Sequence, residues 1–493
     1  MANSKIIQTR GLTFDDVLLL PDYSEILPHQ VETKTRLTKN ININIPLISA
    51  AMDTVTGANM AIAMAREGGA GIIHRNNLKD EQAAYVKKVK RAESEMIADP
   101  ICLTPEHTLA DTLKVMEENN ISGVPIVDSF ENKRLVGIIT SRDLRLEEDF
   151  SVAVSLKMRK EGEVIKAPLG TTMREAEQVL AKYKVEKLPI VDEQGILKGL
   201  ITMKDILHRK QFPDAVKDSK GRLLAAAAIG VGEGGYERAA ALVEAGADIL
   251  VIDTAHGHSA RVLETLSMIK EKFQNTEIIA GNIATPKAAL ALIKAGADAI
   301  KIGIGPGSIC TTRIVAGIGV PQITAIMECA RVAKEHGVPV IADGGIRYSG
   351  DIAKALAAGA DSVMIGGALA GAEESPGERV ISEGRVYKEY RGMGSEEAMA
   401  SLTTSSSRER YGQENMPKPI AEGIEGRVPY KGTVKEIVYQ MVGGLKAGMA
   451  YCGCPTISDL QENAHFMEVS PSSVIESHPH DVVITKEARN YSR

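Results

Sequence analysis

Apolar and polar positions along the chain follow a helix-then-strand rhythm. The phrase Ala-Gly-Ala-Asp recurs at 245–248, 295–298 and 358–361. Each copy closes a stretch of helical periodicity and opens a short apolar run, at 249–252, 299–302 and 362–365. Residues 67–73 have the same shape. A glycine ends a helix in the left-handed conformation, and an unbroken apolar run of this length suits a strand buried on both faces. Repeated units of this kind predict parallel βα architecture. Further strands are expected at 46–50, 278–280 and 338–342. Polar or Gly-rich residues follow nearly all of these runs: Asp53, Asp253-Thr254, Gly281-Asn282, Gly303 and Asp343-Gly344-Gly345. In a barrel such positions form the functional C-terminal rim. The expected fold class is therefore α/β, a TIM (β/α)8 barrel.

A second repeat lies within 94–210. Its halves read Gly123-Val124-Pro125-Ile126-Val127-Asp128 and Lys187-Leu188-Pro189-Ile190-Val191-Asp192. Downstream stand Gly137-Ile138-Ile139-Thr140-Ser141-Arg142-Asp143 and Gly199-Leu200-Ile201-Thr202-Met203-Lys204-Asp205. Helical stretches at 109–119 and 173–183 precede each Pro. This is an internal duplication of a small αβ unit, and barrel signals flank it on both sides. It therefore interrupts the barrel in a loop, where insertions are tolerated. The expected organisation is barrel over 1–93, insert over 94–210 and barrel again over 211–493. The duplicated unit resembles a tandem pair of CBS modules (a Bateman module). That resemblance implies an α+β insert with adenosine-nucleotide ribose and phosphate contacts at Thr140/Asp143 and Thr202/Asp205. The alternative is a spacer whose halves only pack on each other.

Composition narrows the partners. Apolar residues make up 44% of the chain, as in a globular protein with full cores. Net charge is −6 and there is no Trp, so neither a basic footprint nor stacking platforms for nucleic acid are present. No apolar run reaches membrane-spanning length, and the N-terminus carries no secretory pattern. Five cysteines in so long a chain make no disulfide framework. A soluble cytoplasmic protein, with neither nucleic acid nor membrane as partner, is expected.

The segment Gly303-Ile304-Gly305-Pro306-Gly307-Ser308-Ile309-Cys310-Thr311-Thr312-Arg313 follows a predicted strand. Its glycines let backbone approach a ligand closely. A lone Cys after a Gly-rich loop is by itself more often structural. This loop, however, closely resembles the active-site Cys loop of IMP dehydrogenases, part of which the related GMP reductases share. The resemblance extends to Leu12-Thr13-Phe14-Asp15-Asp16-Val17-Leu18-Leu19, to the insert and to nearly the whole chain. It implies that Cys310 is a nucleophile: thiolate addition to the hypoxanthine ring drives hydride to NAD, and a covalent thioimidate is then hydrolysed. It further implies a potassium site of Gly305, Gly307 and Cys310 carbonyls, completed by a neighbouring subunit's Glu487-Ala488-Arg489. Relatives often carry Ser-Pro after that Glu, so Ala488-Arg489 departs from the pattern. The IMP phosphate and sugar fall to Ser308, Asp343, Gly344, Gly345, Gly366, Gly367 and Tyr390, with Gly367 standing where many relatives have Ser. NAD is expected at Asp253, Thr254, Asn282, Gly303 and Gly305.

From 384 to 432 the pattern turns polar, Gly-rich and poor in strand signals, as a lid does. The resemblance makes this a mobile flap. It places a base-contacting turn at Gly392, Met393 and Gly394, and a water-activating pair at Arg410-Tyr411. Thr312 with Glu422, which also faces substrate, forms a second proton relay. Without the resemblance, Arg408-Glu409-Arg410 reads as a solvated charge run. Gly230-Val231-Gly232-Glu233-Gly234-Gly235 fits a dinucleotide fingerprint with Asp253 at about the right distance, but it sits among barrel repeats, and a Rossmann reading is rejected. His256-Gly257-His258 and Cys452-Gly453-Cys454 have metal-like spacing without companion ligands, and are read as loop residues. Two rivals stand: a GMP reductase, a family that lacks the Arg-Tyr flap, and a non-catalytic nucleotide sensor. The family's assemblies imply a homotetramer, extended to an octamer where CBS pairs join.

Overall fold

The computed structural model describes residues 6–7, 10–93, 96–97, 99–119, 121–400, 406–486 and 488–491. It divides into two compact units: Met1–Ala92, Asp214–Asp218 and Leu223–Arg493 form one, and Glu93–Pro213 with Ser219–Arg222 the other. Ser94, where the insert was expected to begin, lies outside the described residues.

The larger unit is a closed parallel barrel of eight strands. In chain order these are β1 (Leu47–Ser49), β2 (Ala70–Ile73), β3 (Ala226–Ile229), β4 (Ile249–Asp253), β5 (Glu277–Ile283), β6 (Ala299–Ile302), β7 (Val340–Asp343) and β8 (Ser362–Ile365). β8 pairs with β1 and β2 with β3, closing the ring. Alternate residues face opposite ways, as a pleated strand requires. On β4, Ile249 and Val251 join the apolar cluster that also holds Ile48, Ile279 and Ile341, while Leu250 and Ile252 pack with the other large cluster, whose members include helix residues such as Leu266.

The repeated Ala-Gly-Ala-Asp has a physical cause. Its glycines, Gly246, Gly296 and Gly359, sit at φ 96, 102 and 109, open to Gly and strained for other residues. The Asp then staples two strands. Asp248, Asp298 and Asp361 each accept the N–H of a residue within one position of the preceding strand's start, Ala225, Ile278 and Val340, at 2.8 Å in every case. Each Asp N–H donates back to the same residue's carbonyl, at 2.8–2.9 Å. A cation faces each carboxylate: Lys90 at 2.5 Å, Lys270 at 2.5 Å and Arg36 at 3.5 Å.

Two features differ from the sequence reading. β3 was not anticipated, because Ala225–Ala228 carries no β-branched residue to mark it as a strand. The stretch 384–432 is not irregular throughout. Arg385–Arg391 (β10) pairs antiparallel with Arg379–Ser382 (β9) and Glu425–Pro429 (β11), and two short helices, Glu396–Met399 and Ser406–Arg410, lie between β10 and β11. Charged residues at Arg385, Lys388, Glu389 and Arg391 blur the alternation that would have betrayed this sheet.

The smaller unit repeats one pattern twice. Helix Leu109–Asn119 accompanies strands Gly123–Val127, Leu135–Thr140 and Arg159–Lys160; helix Met173–Tyr183 accompanies Ala167–Pro168, Lys187–Val191 and Leu197–Thr202. Both helices occupy the predicted residues. Each half has an apolar core of its own, around Leu109 and Ile126 in one and Leu180 and Ile190 in the other. Among the described residues no helix is long and apolar enough to cross a membrane.

Candidate active site

The loop after β6 begins at Gly303, whose φ is +148 and where a Cβ would lie 2.0 Å from the Asp343 carbonyl oxygen. Only Gly fits between these strand ends. Farther on, the Cys310 N–H donates to the Gly307 carbonyl at 3.1 Å. The Cys310 Sγ lies 3.2 Å from the Thr312 hydroxyl. Two other segments close around this loop. Thr311 N–H donates to the Glu422 carbonyl at 3.0 Å, Ile424 N–H to the Ile309 carbonyl at 3.0 Å, and Glu422 N–H to the Gly394 carbonyl at 2.9 Å. Cys310, Thr312, Glu422 and the turn Gly392-Met393-Gly394 are thus brought together by backbone pairing. The cysteine stays partly exposed, unlike buried Cys329, Cys452 and Cys454.

Beside it opens a cleft lined by Ser308, Gly344, Gly345, Gly366, Gly367 and Tyr390. The short helix Gly367–Ala370 starts at the edge of this cleft. Burial pushes the Tyr390 hydroxyl up to about 12, against the pull of its hydrogen bond with Ser308. Tyr390 therefore stays a neutral donor.

Asp343 does not stand free at the end of β7. Lys301, on β6 and 1% exposed, reaches Asp343 Oδ2 at 2.5 Å and Asp253 Oδ1 at 3.0 Å. Lys301 also donates to Asn282 Oδ1, and the Asn282 amide returns to Asp343 Oδ2 at 2.9 Å and to the Gly303 carbonyl at 2.8 Å. One buried ammonium thus ties an expected sugar contact to two expected dinucleotide contacts. Sequence reasoning missed Lys301. It sits in an apolar run, and its only signal was a charge at an inward strand position. Thr254 is buried, and its hydroxyl is taken by the Gly281 carbonyl at 2.8 Å.

Residues 406–411 cover this end of the barrel. Arg410 pairs with Asp253, and its carbonyl accepts the Ala255 N–H at 3.0 Å. Burial drives the Arg410 pKa down from its ordinary value, nearby Tyr411 opposes this, and Arg75 adds to it. Burial raises the Tyr411 hydroxyl pKa. The Tyr411 ring packs over Gly394, where a Cβ would come within 2.7 Å of it. With the segment seated in this way, Asp253 is covered.

The potassium residues fit in part. Gly305, Gly307 and Cys310 share one loop, and carbonyl oxygens are the donors a potassium ion takes. Gly307 has spent one lone pair on the Cys310 N–H, leaving the other. Arg489 lies 3.4 Å from Glu436, at the start of helix Val434–Tyr451, beside Ala488 in the exposed tail. Glu487 lies outside the described residues. Among the described residues no cluster of three or more His, Cys, Asp or Glu could hold a metal, and His256 and His258 pack edge to face instead.

Comparison with known proteins adds the following. A family model described as "IMP dehydrogenase / GMP reductase domain" matches residues 11–480. The chain is 59% identical to the inosine-5'-monophosphate dehydrogenase of Aquifex aeolicus, covering 98% of this chain and 97% of that one. It is 56% identical to the protein of the same name from Bacillus subtilis, over 98% of each. Among solved structures it resembles a Trypanosoma brucei GMP reductase variant in complex with guanosine 5'-monophosphate. That match has a TM-score of 0.89 and 40% identity, covering 98% of this chain and 100% of that one. The chain therefore belongs to the IMP dehydrogenase / GMP reductase family, oxidoreductases of purine-nucleotide interconversion.

Proposed function

We propose that the protein is an IMP dehydrogenase, oxidising IMP to XMP with NAD through a covalent Cys310 thioimidate. The observation that carries this reading is the seating of Arg410-Tyr411 over the rim, with Arg410 on Asp253 and Tyr411 on Gly394. The reductase rival has no use for such a hydrolytic pair. IMP lies with its phosphate among the Gly344-Gly345 and Gly366-Gly367 backbone, Ser308 and Tyr390, its ribose on Asp343 and its base against Gly392, Met393, Gly394 and Glu422. The Cys310 thiol gives its proton toward the Thr312 hydroxyl at 3.2 Å; in the later hydrolysis Thr312 and Glu422 form a second relay beside Arg410-Tyr411, the carboxylate taking the water's proton through the hydroxyl. The thiolate adds to the ring carbon between the nitrogens, making it tetrahedral. Asp253, Thr254, Asn282, Gly303 and Gly305 would hold NAD, which would supply the acceptor for the hydride that leaves this carbon.

Hydrolysis of the thioimidate then needs an oriented, deprotonated water. Asp253 cannot face NAD while Arg410 covers it, so the 406–411 segment closes only after the dinucleotide leaves. Desolvation of Arg410 increases its neutral fraction, which is what a guanidinium acting as base requires. A monovalent cation such as potassium on the Gly305, Gly307 and Cys310 carbonyls would hold the loop in shape.

The smaller unit is a tandem CBS pair that takes a purine nucleotide. Its cleft is lined by Thr140, Arg142, Arg159 and Lys187 among others. In each half the Thr N–H and hydroxyl both bond one carboxylate oxygen, Oδ2 of Asp143 or of Asp205, which turns the other oxygen of each Asp toward ribose, that of Asp143 beside Arg159 at 3.9 Å. The working assembly is a homotetramer.

The test mixes protein, IMP, NAD and potassium and follows NADH absorbance, with Cys310→Ala as control. NADH that vanishes in the control supports the reading. No NADH, but consumption of NADPH with GMP, replaces it with a reductase.

A further inference from the structure

Gly230-Val231 was set aside as part of a false dinucleotide fingerprint. In the fold it does something else. Gly230 directly follows β3. A Cβ there would lie 2.1 Å from Glu409 Oε1, and its three nearest atoms are all in the Glu409 carboxyl group. The Gly230 backbone lies outside the left-handed region, so space alone, not φ, keeps the position bare. The Val231 N–H donates to the same Oε1 at 2.6 Å. Arg75, at the end of β2 and 5% exposed, reaches Oε2 at 3.1 Å and the Ser406 hydroxyl at 3.0 Å. One carboxylate therefore fills a notch built from a missing side chain, a free backbone donor and a buried guanidinium. Its neighbour in sequence is Arg410. The segment's other ion pair with the barrel is Arg410 on Asp253, the contact that the notch would set; just beyond it, Arg261 to Glu414 at 2.5 Å has a half-exposed Arg and contributes less.

We infer that Glu409, seated in the notch of Gly230, Val231 N–H and Arg75, is the positioning residue that holds the 406–411 segment closed and sets Arg410 on Asp253. The inference rests on the proposed hydrolytic role of Arg410. Glu409 itself touches no reacting atom. Hydride transfer occurs with the segment open and does not need the latch; hydrolysis does. A carboxylate held by a charged and a neutral donor is worth about tenfold or more in the closing equilibrium.

Two variants test it in the full-length protein. Glu409→Gln keeps the shape and removes the charge, and Gly230→Ala fills the notch from the barrel side. Hydrogen exchange of peptides spanning 406–413 reads the latch without any activity, and both variants should exchange about fivefold faster or more; unchanged exchange in either overturns the latch. With IMP and NAD, the first-turnover NADH burst should persist while steady-state kcat falls about tenfold. In Gly230→Ala, adding Glu409→Asp, which withdraws the carboxylate by one methylene, should recover part of kcat. A kcat within twofold of the parent, or a burst lost in step with kcat, overturns the positioning role. A parent protein that makes no NADH refutes the proposed reaction instead, and the exchange result still decides the latch.

Discussion

Replacing Lys301 by Met tests how the barrel mouth is held together. The substitution keeps the length of the side chain and removes the one ammonium that lies between Asp253 at 3.0 Å and Asp343 at 2.5 Å. Lys301 is 1% exposed, and the side chains of Asp253 and Asp343 are 5% and 17% exposed. Water therefore replaces the lost partner poorly. Breaking a buried pair from one side costs about 3–5 kcal/mol, because the surviving charge stays desolvated. Here two carboxylates survive, although Arg410 still faces Asp253, so the loss belongs in that range. In a barrel of this size each kcal/mol moves the melting temperature by roughly 2 °C, giving a fall of about 6–10 °C. With no Trp in the chain, calorimetry is the suitable measurement. A cycle with Asp253→Asn sharpens the test: the double variant should be less destabilised than the sum of the singles by about 1–3 kcal/mol. A Lys301→Met protein that melts within 2 °C of the parent, or strictly additive singles, would refute the bridging role.

Other outcomes follow from the same geometry. Gly303→Ala should abolish activity, since its Cβ would lie 2.0 Å from the Asp343 carbonyl oxygen; NADH production with IMP and NAD measures this. Gly367→Ser should lower the IMP KM a few-fold, because its Cβ meets Tyr390 and Ser308 at 3.3 and 3.5 Å, tight but passable, and adds a hydroxyl to the cleft proposed for the phosphate. Tyr390 is pushed up to about 12, so its hydroxyl stays protonated and the IMP KM should show no inflection from it up to pH about 10. Tyr390→Phe should leave that profile unchanged in shape while raising KM. Asp361→Ala should cost about 1–3 kcal/mol by orphaning the Val340 N–H, measured as a calorimetric shift.

Much of this molecule was legible in one sequence because its repeats have local causes. Ala-Gly-Ala-Asp marks a helix end, a strand start and a staple at once, so three of the barrel's strands could be placed from one phrase. The duplicated insert was legible for the same reason. The candidate site was legible only in pieces. The strand pattern put Asp343 on the rim, but its role, like those of Cys310 and Arg410, came from resemblance to a family. Lys301 was hidden because an inward charge among apolar neighbours is explained only by partners on other strands. Glu409 was hidden twice over: it looked like a solvated charge, and its receptor looked like a nucleotide loop. Contacts between residues some 180 positions apart leave no periodic trace.

The carboxylate staples fall on alternate seams. They join β3 to β4, β5 to β6 and β7 to β8, while in the fourth unit Ala70 occupies the Asp position and β1–β2 goes without one. The excursion into the smaller unit leaves after Ala92 and returns before β3, across the β2–β3 seam, where only two residue pairs are in register. A chain parted at that seam severs no staple. New termini there, a different guest sequence, or two separate polypeptides meeting along that edge would all leave the three stapled pairs intact.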